Sequence, residues 1–374
     1  MIGPRRSRLS RQHRRSPLSR LELQAGVLAG RVLGRLFGER PLPLAELLRS
    51  PPERILLVRP NARLGNTILA TPAIGLFRAA FPRARIDFLT MGSGEAILRH
   101  LPVDAVLSLP RPIALRPWEL ARVLAVVRRA RYDLAVDCGF SSRLDALVVA
   151  LSAARLKLGV ENPVNGCLFN LRVPLPPHEL HKEEKWEFLA QALGLDPAPA
   201  RLAFILDEDE RRWAKERLGA LGHSITTPVG MFVGGRARKG KRWPLERFLE
   251  LARGLSAAGR RVLVFVGPEE RRDLSRLEAA LSGVATVVAE PSIRRTAALI
   301  DRCALFVSGD SGPMHLACAL GVQVFAVFLK PNWRRWGPRP HHGTVFVVDE
   351  DADAAEQVAA CLAMILSTGG RLGI

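Results

Sequence analysis

The sequence is poor in aromatic residues: Phe, Trp and Tyr together make up 6%, and there is one tyrosine, Tyr132. Binding of single-stranded nucleic acid by stacking bases between interleaved aromatic and basic side chains is therefore not expected, and no specific nucleic-acid partner is assigned. Cysteine is also sparse. Cys138, Cys167, Cys303, Cys318 and Cys361 are scattered, odd in number and never spaced C-x-x-C. That pattern argues against a disulfide framework or a thiolate zinc site, and for small core residues in a reducing compartment. No apolar run approaches the roughly 18 residues that span a bilayer. The arginine-rich start has no uninterrupted apolar stretch and no cleavage signature, so a cytoplasmic location is expected. Acidic residues are outnumbered, 36 against 55 Lys and Arg, for a net charge of +19. Such a balance suits polyanionic surroundings: phosphorylated substrates, an anionic membrane face or nucleic acid.

At 374 residues the chain exceeds the size at which one hydrophobic core usually stops growing, so two domains are expected. Residues 1–50 form a basic arm and an amphipathic helix. Arg5, Arg6, Arg8, Arg11, Arg14, Arg15 and Arg20 occur with no acid among them. Leu21, Leu23, Val27, Leu28, Val32, Leu33, Leu36 and Phe37 then recur at helical spacing among Arg31, Arg35 and Arg40. Such a helix can lie on an anionic membrane surface or pack on the protein body.

From residue 51 short apolar runs alternate with helical patterns. Strands are predicted at Arg54–Val58, Ile86–Thr90, Ala105–Leu107 and Leu134–Asp137. Asn66 is read as the cap of a helix running from Thr67 to Ala80. This first domain spans 51–195 and ends at Gly194 and a proline-rich stretch. The alternation restarts over 200–350, with strands at Val229–Val233, Val262–Val266, Ala285–Val288, Ala304–Val307 and Val324–Phe328. A last helix, Ala352 to Leu366 within 351–374, is expected to pack back on the first domain. The pattern implies an α/β protein with parallel sheets covered on both faces, whose ligands sit beyond the carboxyl ends of the strands.

Four loops at those ends carry candidate chemistry. In Ser308-Gly-Asp-Ser-Gly312 a strand stops and a helix with Met314, His315 and Leu316 begins. Its glycines permit close approach, and the free N–H groups of a helix start suit a diphosphate. Asp310 can cap that helix or bind sugar hydroxyls, and His315 can donate to the diphosphate. The loop Gly234–Pro244 carries Arg236, Arg238, Lys239, Lys241 and Arg242, a density that can clamp phosphates. In the first domain, Asn61–Asn66 and Asp137–Ser142 lie at equivalent ends.

Taken in order, Ile55–Ile74 with its Arg59-Pro-Asn-Ala-Arg-Leu-Gly-Asn66 core, Lys241-Arg-Trp-Pro244 and Ser308–Leu316 resemble the three signature regions of glycosyltransferase family 9, the ADP-heptose:lipopolysaccharide heptosyltransferases. The resemblance runs from about residue 54 to residue 365 and leaves the basic N-terminus uncovered. It implies a GT-B fold of two Rossmann-like domains facing across a cleft. It further implies inverting transfer of a sugar from a nucleotide diphosphate donor to an anionic glycan or glycolipid acceptor, without a cofactor or a bound metal. The donor side then falls on Arg236, Lys241, Asp310, Ser311, Gly312 and His315. The family's catalytic aspartate aligns with Asn66, whose amide cannot accept a proton at neutral pH. Three readings follow: Asn66 orients the acceptor while Asp137 serves as base, with Glu95 a lesser candidate of the same kind; the acceptor brings its own base; or the protein binds a sugar nucleotide without turnover. The rival functions are a nucleotide-sugar epimerase on the same fold and a membrane-binding protein with a vestigial cleft.

Overall fold

The computed structural model describes residues 35, 37–38, 40–110, 116–140, 142–162, 166–176, 178–223, 227–235, 242–349 and 352–372. Two six-stranded sheets organise the chain. The first contains β1 (Arg54–Val58), β2 (Arg85–Met91), β3 (Ala105–Leu109), β4 (Leu134–Asp137), β5 (Leu156–Val160) and β6 (Leu171–Val173) in the order β3-β2-β1-β4-β5-β6. The second contains β7 (Val229–Phe232), β8 (Val262–Phe265), β9 (Thr286–Val288), β10 (Leu305–Gly309), β11 (Gln323–Phe328) and β12 (Gly343–Val347). Its order, β9-β8-β7-β10-β11-β12, repeats that of the first, and the strand pairs in both sheets are parallel. Each sheet reverses direction between its first and fourth strands, at β1/β4 and β7/β10. That is the place where open parallel sheets leave a crevice.

The strands form because their residues can be buried on both sides. Ile55 and Leu57 of β1 face one apolar cluster with Phe77 and Trp186, while Leu56 and Val58 face another with Val148 and Phe169. A continuous apolar run, without alternation, is what such a strand requires.

The helix expected from Thr67 to Ala80 is two helices, Leu64–Ile68 and Pro72–Ala80. Pro72 has no N–H to continue the first, and the Thr71 hydroxyl turns back to donate to the Ile68 carbonyl at 2.7 Å. Asn66 consequently lies inside the first helix and does not cap it; Arg63 occupies the cap position. A second correction concerns the last helix, Ala354–Leu372. It packs on the second domain, where Val358, Cys361 and Ile365 join Phe248, Leu251 and Leu255 in one core and Leu362 lies against Gly254. The apolar stripe of this helix matches the near face of helix Leu245–Ala257, so no return to the first domain is needed.

The two domains are joined by apolar and polar contacts. Ile68 and Ile97 of the first domain are fully buried in a core that belongs mainly to the second, with Met314, Leu316 and Phe306. On one flank Arg294 donates to the Ala96 carbonyl at 2.8 Å. On the other, the segment leading into helix Glu184–Ala192 is tied to the stretch around helix Trp333–Trp336. The Lys182 N–H donates to the Arg335 carbonyl at 3.1 Å, and Glu183 pairs with His342 at 3.5 Å. His181 Nδ1 accepts from the Glu183 N–H at 3.2 Å, so Nε2 carries the proton that it gives to the Gly337 carbonyl at 2.7 Å. Among the described residues no helix is long and apolar enough to cross a membrane.

Candidate active site between the two domains

The loops leaving β1, β4 and β10 converge. After β10, Ser311 takes an extended conformation and caps helix Gly312–Ala319, its hydroxyl accepting from the Met314 N–H at 3.3 Å and meeting the Ser308 hydroxyl at 2.7 Å. Pro313 sits in the first turn, where an N–H would be unsatisfied in any case. Asp310, just before the cap, accepts from the Asn332 side-chain amide at 3.0 Å. The helix start thus has a fixed backbone and a carboxylate held to one side.

Opposite it lies helix Leu64–Ile68, and the two are separated by almost nothing. A Cβ on Gly65 would stand 2.7 Å from His315 Cδ2 and 3.4 Å from the Gly312 Cα, and one on Gly312 would stand 3.1 Å from the Leu64 Cβ. Two motifs about 250 residues apart in the chain meet through their glycines because only glycine leaves room for this approach. His315 is buried in the contact. Asn66 follows directly, half-buried, with its amide donating to Asn61 Oδ1 at 3.1 Å; the same oxygen accepts from the Arg63 N–H at 3.0 Å.

Asp137, at the end of β4, is 1% exposed. Its Oδ1 accepts from the Gly139 N–H at 2.8 Å, while Oδ2 is buried without a hydrogen-bond partner. Burial first, and the charge of Asp145 second, push this carboxyl well above the ordinary carboxylate range. It therefore holds its proton readily and anchors the loop that follows it. Asp145 is paired with Arg59 at 2.9 Å and with the Ser142 hydroxyl.

A pocket opens beside Asn66. From the β1 loop it is lined by Arg59, Asn66 and Leu69, from the β4 loop by Cys138, Gly139 and Phe140, from the interdomain segment by Lys182 and Trp186, and from the second domain by Trp336. Phe140 is in the left-handed region, φ 59°, which costs a side chain roughly 1–3 kcal/mol and is typical of sites whose surroundings over-determine them. Its ring meets Trp186 edge-on at 4.8 Å, and the Trp186 N–H is fixed on the Leu69 carbonyl at 2.8 Å. Lys182 Nζ stands 4.5 Å above the Trp336 ring, and Lys185 Nζ 5.4 Å from the Phe140 ring. Burial, then the charges of Lys185 and Arg335, lower the Lys182 ammonium to about 6.

The structure therefore gathers Asp310, Ser311, Gly312, His315 and Asn66 at one interface and sets Asp137 behind it. Glu95 is exposed on helix Gly94–Leu98 and is absent from the described pocket wall. Arg236 and Lys241 lie outside the described residues. Their neighbour Arg242 reaches the buried Glu270 at 4.0 Å. Lys182 is the residue sequence reasoning missed. In His181-Lys-Glu-Glu-Lys185 it reads as the charged start of a connecting helix, and only the fold brings Trp336 over it.

A family model described as "Glycosyltransferase family 9 (heptosyltransferase)" matches residues 120–364. Lipopolysaccharide heptosyltransferase 3 of Escherichia coli K12 is 24% identical over 291 residues, covering 73% of this chain and 82% of that protein. Lipopolysaccharide heptosyltransferase 2 of the same strain is 25% identical over 297 residues, covering 74% and 82%. Among solved structures, a family 9 glycosyl transferase from Veillonella parvula superposes with a TM-score of 0.72 at 20% identity, covering 86% of this chain and 97% of that one. An E. coli heptosyltransferase bound to ADP-2-deoxy-2-fluoro heptose superposes with a TM-score of 0.66 at 19% identity, covering 84% and 99%. The GT-B architecture implied by the family resemblance is thus the observed one.

Proposed function

This chain belongs to glycosyltransferase family 9 and is a glycosyltransferase, and from that premise we propose that it moves a heptose or related sugar from an ADP-heptose-like donor to a hydroxyl of a lipopolysaccharide-type acceptor. The observation that carries this reading is the direct contact of Leu64 and Gly65, which precede Asn66, with His315 and the start of helix Gly312–Ala319. It puts an anion-binding helix end beside the loop at which the acceptor is expected.

In this reading Ser311, Gly312 and His315, with Arg236 and Lys241, hold the diphosphate, and Asp310 binds sugar hydroxyls. The acceptor oxygen attacks the anomeric carbon as its bond to the diphosphate breaks, inverting the centre in one displacement. Positive side chains and helix N–H groups stabilise the charge that develops on the departing diphosphate. Asn66 orients the acceptor hydroxyl. Asp137 supports the acceptor side from behind, by fixing the Gly139 N–H and hence the Cys138–Phe140 wall. The enzyme works in the cytoplasm, and residues 1–40 bring it to the anionic inner face of the membrane.

Calorimetry with ADP tests the donor assignment. His315→Ala and Lys241→Ala are each expected to weaken binding by about tenfold or more, the loss of one charge-assisted hydrogen bond. Affinity unchanged in both would overturn it.

A further inference from the structure

A displacement at the anomeric carbon needs a destination for the proton of the acceptor hydroxyl. The position beside Gly65 holds an amide, so the destination must lie elsewhere on the same wall. The described lining of the adjoining pocket contains no carboxylate. The Arg59 guanidinium offers N–H donors and no acceptor. The Cys138 thiol is driven far up by burial, so it stays a thiol. Asp137 sits behind the wall, 1% exposed. One lining group remains that can present a lone pair.

We propose that Lys182 is the general base of the sugar transfer, its amine reaching the acceptor hydroxyl from the pocket wall that it shares with Asn66. This rests on the reading of the chain as a transferase to a glycan hydroxyl. The amine nitrogen takes the hydroxyl proton and becomes an ammonium. The acceptor oxygen uses the freed electron pair to bond the anomeric carbon, and the carbon–oxygen bond to the diphosphate breaks, its pair leaving with the nucleoside diphosphate. The Lys182 ammonium then gives the proton up to solvent once the products have left.

The surroundings keep that amine available. Lys182 is largely buried beneath the Trp336 ring. The charged groups that face it are Lys185 from the helix that follows it, Arg335 from helix Trp333–Trp336 and Arg59 from the β1 loop, all cationic. Of the nearby acids, Glu179 pairs with Arg335 and Glu183 with His342, while burial keeps the proton on Asp137. With its proton lost above about pH 6, the amine is neutral at pH 7.

The test uses the full-length enzyme with ADP-heptose and a deacylated lipopolysaccharide core as acceptor. Lys182→Met and Lys182→Arg are both expected to lower kcat about 100-fold or more, the usual worth of a general base, with ADP affinity unchanged. Wild-type kcat/KM should rise with pH through about 6, and Lys182→Met should lack that limb. Methylamine should restore part of the turnover of Lys182→Ala. If Lys182→Arg keeps half or more of the wild-type rate, the side chain serves as a fixed cation for an anionic group of the acceptor, and the proposal is wrong. A retained pH limb in Lys182→Met overturns it equally. Should these variants misfold, the Cε shift of 13C-labelled Lys182 in the wild-type protein decides: a midpoint near 6 is expected, and one close to the ordinary lysine value of about 10.4 sinks the idea. That titration needs no substrate, so its failure is distinct from a wrong donor or acceptor, which the wild-type transfer assay reports.

Discussion

Asp137 illustrates how much a single residue's burial decides. Its place at the carboxyl end of a strand is legible in the apolar run Leu134-Ala-Val, and so is its place beside the crevice. What the sequence leaves hidden is depth. Two aspartates, Asp137 and Asp145, share one interior with a single arginine, Arg59, and the arginine pairs with Asp145. Asp137 is left with a buried, unpartnered oxygen and a raised carboxyl. The stability sign follows. In the folded protein Asp137 binds its proton more tightly than in the unfolded chain, so its favourable contribution is full below the unfolded value of about 3.9 and is lost as pH rises above it. Asp137→Asn removes the ionisation. Melting curves at pH 5, 6.5 and 8 should show the variant gaining on the wild type as pH increases; a gap independent of pH would contradict this account. Lys182 was illegible for the same kind of reason. Its chemistry depends on Trp336 and Arg335, more than 150 residues away in the chain.

At the level of elements, periodicity and apolar runs suffice for the central strands and most helices, because burial on two faces demands continuous hydrophobicity. They fail where an element is short or partly polar. β6 has three residues and falls in a proline-rich stretch that reads as irregular, and β5 carries Lys157 as its second residue. The break at Thr71-Pro72 matters more, since it creates the short helix Leu64–Ile68 that meets the second domain. The close approach of this helix to helix Gly312–Ala319 is a property of the pair. Gly65→Ala would drive a methyl to 2.7 Å from His315 Cδ2, so the helices must separate or the imidazole must turn. Overpacking of this kind costs about 1–3 kcal/mol. The variant should melt lower by that equivalent and bind ADP more weakly in calorimetry, while wild-type ADP affinity in Gly65→Ala would mean that the contact does not position the diphosphate site.

For the molecule as a whole, two parallel sheets covered by helices, with a crevice at the carboxyl ends of their strands, are consequences of strands alternating with helices and were legible at that level, whereas the shared strand order and its two switch points were not. The docking of the last helix was not, because its apolar stripe suits either domain until helix Leu245–Ala257 presents a matching face. Charge is also a whole-molecule property. With a net +19, and an N-terminal arm of arginines without acids, association with anionic surfaces is expected to be separable from catalysis. Removal of residues 1–40 should reduce cosedimentation with phosphatidylglycerol vesicles severalfold at low salt and leave ADP binding intact. Equal vesicle binding with and without the arm would place the membrane contact on the body of the enzyme.

The glycine contact between the two domains has a thermodynamic consequence. The start of helix Gly312–Ala319 packs directly on the loop that carries Asn66; His315 touches Gly65, and Asn66 is the next residue. Two substrates bound on either side of such a contact are not independent ligands. Whatever factor the donor imposes on the affinity for the acceptor, the acceptor must impose on the affinity for the donor. The strength of that coupling would then depend on a single van der Waals distance.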